Sequence, residues 1–322
     1  MPTRAQIIRK ATDNARKSWE AYTREQEWAI YEVFKQAADR LEAAIAKFAG
    51  MDKPIPTRLL LLQQNIAEEM ADLRPRLKGL IITGMRNSVD YGVKQGVYSM
   101  AAVLTGGKFK ATVGTAYIGK DGLVRRYAAA DELYAYSGWA KINGAAMDAV
   151  MRWNPGGITL SDRVWDITWA AEKAIRQRVA SALVLGESPA KTGRTIRQYL
   201  VQPKGLRKYP EIAPGPGVYR SAVKNALRLT RTEMARAASE GTIRYAMEKK
   251  WIDGFIWRVG GGEPCEVCQD LDGQFFGKDA APQLPAHPHC MCYLELHIAD
   301  DAMAKMGPMA AALPAPLKWL VA

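Results

Sequence analysis

The chain has 322 residues, 48% of them hydrophobic and 24% charged, enough to bury a sizeable core in more than one domain. Its densest apolar patch, Leu59 to Leu62, falls far short of the ~18–20 residues of a membrane-spanning helix, so no membrane partner is expected. A net charge of +12 permits contact with nucleic acid, and four cysteines confined to one window argue against a disulfide-stapled secreted scaffold.

Residues 3–49 carry Ile7, Ile8, Ala15, Trp19, Ile30, Val33, Phe34, Leu41 and Ile45 at helical spacing. Gly50 and the Pro54/Pro56 pair end that helix. The N-terminal residues are already amphipathic and lack the apolar run of a secretory signal, so synthesis in a cytoplasm is expected. A second helix is predicted from Thr57 to about Leu73, interrupted by Pro75, and a third over 77–104, loosened by Gly79, Gly84, Gly92 and Gly96. Residues 108–127 alternate around Lys120-Asp-Gly122 and read as a β-hairpin, a structural insertion or contact surface.

Helical texture resumes over 129–153 and is broken by Asn154-Pro-Gly-Gly157. Ser161 is a good N-cap for the next helix, whose apolar stripe runs through Val164, Trp165, Ile167, Thr168, Ala171, Ile175, Val179 and Leu183 until Gly186 stops it. Ser188-Pro189 supplies an N-cap and a first-turn proline for a helix that turns Ile196 and Leu200 inward and Lys191, Arg194 and Arg197 outward. Seven Pro and Gly residues mark 203–217 as a linker. A long helix is then predicted over 219–250, followed by strands at Phe255–Val259 and Tyr293–Ile298 and an extended tail.

The fold class that follows is mainly α, with long N-terminal helices, a β-hairpin insertion and a small α+β C-terminal domain containing a zinc knuckle. Along the chain the expected segments are an N-terminal helical region (1–130), a helical middle region (131–202), the linker, a C-terminal domain (218–300) and a tail (301–322). Charge is uneven: residues 161–208 hold ten Lys/Arg against four Asp/Glu, and 218–258 nine against four, whereas 259–322 hold three against eight. DNA contact is therefore expected on the helices, through Lys191, Arg194, Arg197, Arg228, Arg231 and Arg236, and not on the acidic C-terminal module.

That module holds every cysteine and histidine of the chain: Cys265-x-x-Cys268, then His287-Pro-His289-Cys290-Met-Cys292, then His297. Two thiolates two residues apart chelate one metal, and a second half-site about twenty residues on completes a tetrahedral Zn2+ site in zinc ribbons and their relatives. Cys265, Cys268, His287, Cys290 and Cys292 are the candidate ligands, with His289 a sixth and His297 a distant seventh. Buried structural cysteines would scatter, and a redox Cys-x-x-Cys belongs at a helix N-terminus in a βαβ setting that is not expected here. A catalytic zinc needs an open position and a base, and no His-Glu-x-x-His or His-x-Glu pattern is present. Gly260, Gly261 and Gly262 make a poor phosphate loop, because Glu263-Pro264 follow and no helix is expected to open there. A structural metal is the expectation, and no enzymatic activity. Arg231 and Glu233 are read as an intrahelical or interdomain contact before a catalytic pair.

The run Arg228-Leu-Thr-Arg231-Thr-Glu233, Ala237, Gly241, a strand with Trp257, Cys265-x-x-Cys268-x-x-Leu271-Asp-Gly273, and His287-Pro-x-Cys290-x-Cys292 resembles the C-terminal domain of phage minor head proteins, the Mu F-like head-morphogenesis family. Upstream, Leu160-Ser-Asp-Arg-Val-Trp165 and Gly186-Glu-Ser-Pro189 to Leu200 look like the helical region that precedes it. The likeness covers about residues 135–298 and is most specific over 228–292; Met291 departs from it, standing where the family usually has a basic residue. It implies a structural virion component in few copies, made in a bacterial cytoplasm and acting in procapsid or head assembly at the portal or inner capsid. Portal protein, major capsid protein and packaged double-stranded DNA would be its partners. The rival expectations are a zinc-dependent nuclease of the treble-clef type with His287 or His289 as base, and a toxin-like transferase using Glu233.

Overall fold

A computed structural model describes residues 2–104, 113–118, 124–128, 139–201, 219, 221–260, 264–288 and 290–306. The protein is mostly helical, with a small three-stranded antiparallel sheet in its C-terminal region.

Helix α1 runs over Arg4–Ala49. Thr3 opens it: its hydroxyl accepts from the Gln6 amide, and Gln6 Oε1 accepts from Thr3 N–H at 2.8 Å, a capping box. Helix α2 covers Ile55–Leu104 without a break, which corrects the expected division at Pro75. Pro75 lacks an N–H and crowds the preceding turn, which costs about 3 kcal/mol in a helix interior. Burial on both sides of it outweighs this. Leu62, Ile66, Met70, Leu73, Leu77 and Ile81 form one stripe that is almost wholly removed from water, at roughly 1.5–3 kcal/mol per side chain.

The glycines expected to loosen α2 act differently. A Cβ on Gly92 would lie 2.0 Å from the Ala238 carbonyl oxygen, and one on Gly96 would lie 2.2 Å from the Tyr245 ring. Their absent side chains let α2 approach α6, the helix Ala222–Met247, closely enough for Thr242 Oγ1 to donate to the Gly92 carbonyl at 3.2 Å.

Strands β1 (Val113–Ile118) and β2 (Val124–Ala128) pair antiparallel as the expected hairpin, with a register irregularity between Val113 and Ala116. Its turn lies outside the described residues, as does the linker at 203–217. Helix α3 (Trp139–Arg152) follows, then α4 (Leu160–Val184) and α5 (Pro189–Leu200). The N-cap of α4 is Thr159, not Ser161: its hydroxyl accepts from the Asp162 amide, and the Asp162 carboxylate accepts from the Thr159 amide in return. Trp165, expected in the stripe of α4, is 43% exposed, while Val164, Thr168, Ala171, Ile175 and Val179 are buried. Gly186 ends α4 at φ +63°, with Glu187 N–H reaching the Ala182 carbonyl and Gly186 N–H the Leu183 carbonyl. Ser188 caps α5 and Pro189 fills its first turn, as expected.

The C-terminal sheet has the order β4-β3-β5: Phe275–Gly277, Ile252–Arg258 and Tyr293–Ile298. Residue Phe255 pairs with Phe276 on one side and Leu296 on the other. Strand β4 was not expected; three residues are too few to show alternation.

Two compact units result, interleaved along the chain. One comprises 1–22, 85–152 and 232–322, and its core joins Val93, Val97, Tyr245, Phe255 and Trp257 to Cys268, Cys290 and Cys292. The other comprises 23–84 and 153–231. There Arg40 bonds Glu69 through two nitrogens, at 2.8 and 2.6 Å. No helix among the described residues is long and apolar enough to cross a membrane.

Candidate metal centre

Cys265 is the N-cap residue of a six-residue helix, α7 (Glu266–Leu271), which sets Cys268 one turn on and buries it. A short helix therefore does open after the glycines, contrary to expectation. The sheet beside it is antiparallel, so the βαβ frame of a redox Cys-x-x-Cys is absent among the described residues. The end of α7 is tied to β3: Gly273, at φ +82°, donates to the Trp257 carbonyl at 2.9 Å, and Asp272 accepts from Val259 N–H at 3.0 Å. The second half-site enters through a turn in which Cys290 N–H reaches the His287 carbonyl at 3.0 Å, and it continues directly into β5.

These two arms bring five ligand atoms together. His287 Nε2 lies 3.3 Å from Cys265 Sγ and 3.4 Å from Cys268 Sγ, and Cys268 Sγ lies 3.9 Å from Cys290 Sγ. Two overlapping triads share Cys268: Cys265, Cys268 and His287, and Cys268, Cys290 and Cys292. With Zn–S near 2.3 Å and Zn–N near 2.0–2.1 Å, the edges of a tetrahedron are about 3.5–3.8 Å. The separations of 3.3, 3.4 and 3.9 Å are near those edges, and the atoms of each triad lie within 4.8 Å of one another. Soft donors alone make up both groups; among the described residues no carboxylate joins them.

The surroundings favour ligation as well. His287 Nδ1 is 2.9 Å from the Pro288 carbonyl, a bond that fixes the proton on Nδ1, leaves Nε2 as the donor lone pair, and raises the imidazole pKa. The amide of Cys268 lowers the Cys265 thiol. The neighbouring Cys292 side chain, with the amides of Cys292 and Ala286, pulls the Cys290 thiol down to about 5, whereas Cys292, which keeps its proton beside the Cys290 thiolate and is also desolvated, is pushed upward. Burial pushes Cys268 up to about 12. A divalent cation beside them would reverse that desolvation cost and hold the thiols ionised. The cluster can bind a metal ion.

Known protein-family models, curated proteins and solved structures give no match to the chain.

The remaining sequence candidates sit apart from the centre. His297 pairs with Asp253 at 2.6 Å on β5, and His289 lies outside the described residues. Glu233 is 1% exposed and bonds Arg236 at 2.7 Å within α6, the bland alternative to a catalytic pair. Arg231 is held by Glu27, and Arg197 by Asp39 and Glu42. Lys191 is exposed but reaches Glu187 at 3.1 Å; Arg194 is exposed on the same helix, and Arg228 is half-buried. Missed altogether was Arg16, which packs its guanidinium 4.3 Å from the Tyr293 ring beside Cys292. Nothing in its local sequence separates it from the other basic residues of a long amphipathic helix.

Proposed function

We propose that the chain is a structural phage minor head protein whose C-terminal module is stapled by one Zn2+, and that it acts in head assembly at the portal or inner capsid. The observation that supports the reading is that the Cys/His side chains of the family-like motif form two triads, each within 4.8 Å and sharing Cys268, with Cys268, Cys290 and Cys292 buried in the core beside the antiparallel sheet. Cys265, Cys268 and His287 supply three ligands, and the Cys290/Cys292 pair supplies the fourth. An all-Cys/His set closes the coordination sphere and suits a fold element better than a hydrolytic centre. Zinc fits these donors because it is tetrahedral, redox-inert and matched to thiolate and imidazole.

DNA contact falls to the exposed α5 face bearing Arg194 and Lys191, the latter also reaching Glu187. Arg197, Arg231 and Arg236 spend their charge on carboxylates of the chain itself. Such binding would be sequence-independent and would weaken steeply with salt. The test of the reading is protein mass spectrometry on purified heads of the phage that encodes the chain. The expected result is a few copies per head, with loss of assembled heads on gene deletion. Recovery of the chain solely in the soluble lysate, with normal heads in the deletion, would overturn it.

A further inference from the structure

Beside the Cys/His cluster, the Arg16 guanidinium is only partly paired among the described residues. Arg16 lies on α1 with its side chain only 10% exposed. Its Nε donates to Glu20 at 2.6 Å, but Nη1 and Nη2 are buried and have no hydrogen-bond acceptor among the described residues. Burying a guanidinium in this way is costly unless a negative charge lies close. The head sits against Gly260, where an added Cβ would fall 1.9 Å from both Nη atoms. Arg16, Cys292 and Tyr293 line one small cavity.

The same stretch of α1 is latched to the strand that follows the second ligand arm. Asp13 accepts from the Tyr293 hydroxyl at 2.8 Å, and Arg4 donates to the Ala299 and Asp300 carbonyls at 2.6 and 3.2 Å. A zinc ion with three thiolates and one neutral imidazole carries a net charge of about −1, in an interior that screens it poorly. We infer that Arg16 is the counter-cation of the Cys/His centre, a positioning residue through which metal occupancy holds the start of α1 against β5. The inference rests on the metal centre proposed above. A side chain at Gly260 would have to displace that guanidinium.

Zinc affinity of the full-length chain, measured by competition with a chromophoric chelator, tests this in four proteins: parent, Arg16→Met, Gly260→Ala and the double variant. Gly260→Ala keeps the charge and the fold of α1 but pushes the guanidinium aside, so it carries the test should Arg16→Met fail to fold. Each single variant should bind zinc about tenfold more weakly, the low end for a lost outer-shell partner. The double variant should lose no more than either single one, and Arg16→Lys should recover part of the loss. With Co2+ in place of zinc, the thiolate-to-metal band should move to longer wavelength in Arg16→Met, a change that a purely structural arginine would not cause. Parent-like affinity in Arg16→Met, or additive losses in the double variant, overturns the inference alone. A parent that takes up no zinc overturns the metal centre and the inference together.

Discussion

Alanine in place of Gly92 should destabilise the protein, although alanine is the better helix former. The new Cβ would meet the Ala238 carbonyl oxygen at 2.0 Å and the Thr242 nitrogen at 2.8 Å. Ordinary contact needs roughly 3.5 Å, so about 1.5 Å must be found, and the atoms in the way are backbone. Helix α6 cannot rotate to escape, because a Cβ on Gly241 would already be 2.3 Å from the Val89 carbonyl in the same crossing. Overpacking of this kind costs about 3 kcal/mol, and loss of the Thr242 to Gly92 hydrogen bond about 1 kcal/mol more. Relief of the glycine penalty returns about 1 kcal/mol, leaving a net loss of about 3 kcal/mol. Gly144, exposed within α3 with nothing inside 4 Å of an added Cβ, is the control: Gly144→Ala should stabilise by about 0.5–1 kcal/mol. Urea unfolding followed by far-UV circular dichroism reads both. Parent-like stability in Gly92→Ala, or shifts of the same sign in the two variants, would refute the close-crossing argument.

Glu187 answers a nearly buried guanidinium, Arg178, whose side chain is 2% exposed. The Arg178 hydrogen bond holds the Glu187 carboxyl below its ordinary value of 4.5, so the pair's stabilisation is complete above that pH and is lost as pH falls through the depressed folded value. Glu187→Gln should cost about 2 kcal/mol at neutral pH and flatten this part of the acid limb in chemical denaturation; an unchanged limb would contradict the pairing. Thr159→Ala removes the cap of α4 and should cost about 1 kcal/mol, whereas Ser161→Ala should change stability by less than about 0.5 kcal/mol; equal effects would reinstate Ser161 as the cap. Of Cys290→Ser and Cys292→Ser, one should abolish tight zinc binding and the other only weaken it, as read by chelator competition; full retention in both would exclude the pair from the coordination sphere.

Where a residue's role is set by its immediate neighbours, the sequence was readable. Ser188-Pro189 and Gly186 punctuate helices by their own backbone chemistry, and α5 begins and α4 ends where they stand. The metal window was legible because seven soft side chains in one stretch have few other uses, and its two arms do meet. Long-range packing hid the rest. Pro75 breaks a helix in isolation, but the buried stripe from Leu62 to Ile81 keeps α2 whole. Gly92 and Gly96 look like weak points until α6 lies across them. Choosing Ser161 over Thr159 missed Asp162, whose return bond decides between two adequate caps. Arg16 acquires its role from Gly260 and Tyr293, far along the chain, and only the fold brings them together.

The central claim is that this module is built around a metal ion. It is tested most directly by elemental analysis of the full-length protein, purified without chelator and dialysed against metal-free buffer. About one equivalent of zinc per chain is predicted, falling to background in a Cys265→Ser/Cys268→Ser variant. A folded parent protein with no stoichiometric metal would contradict the account.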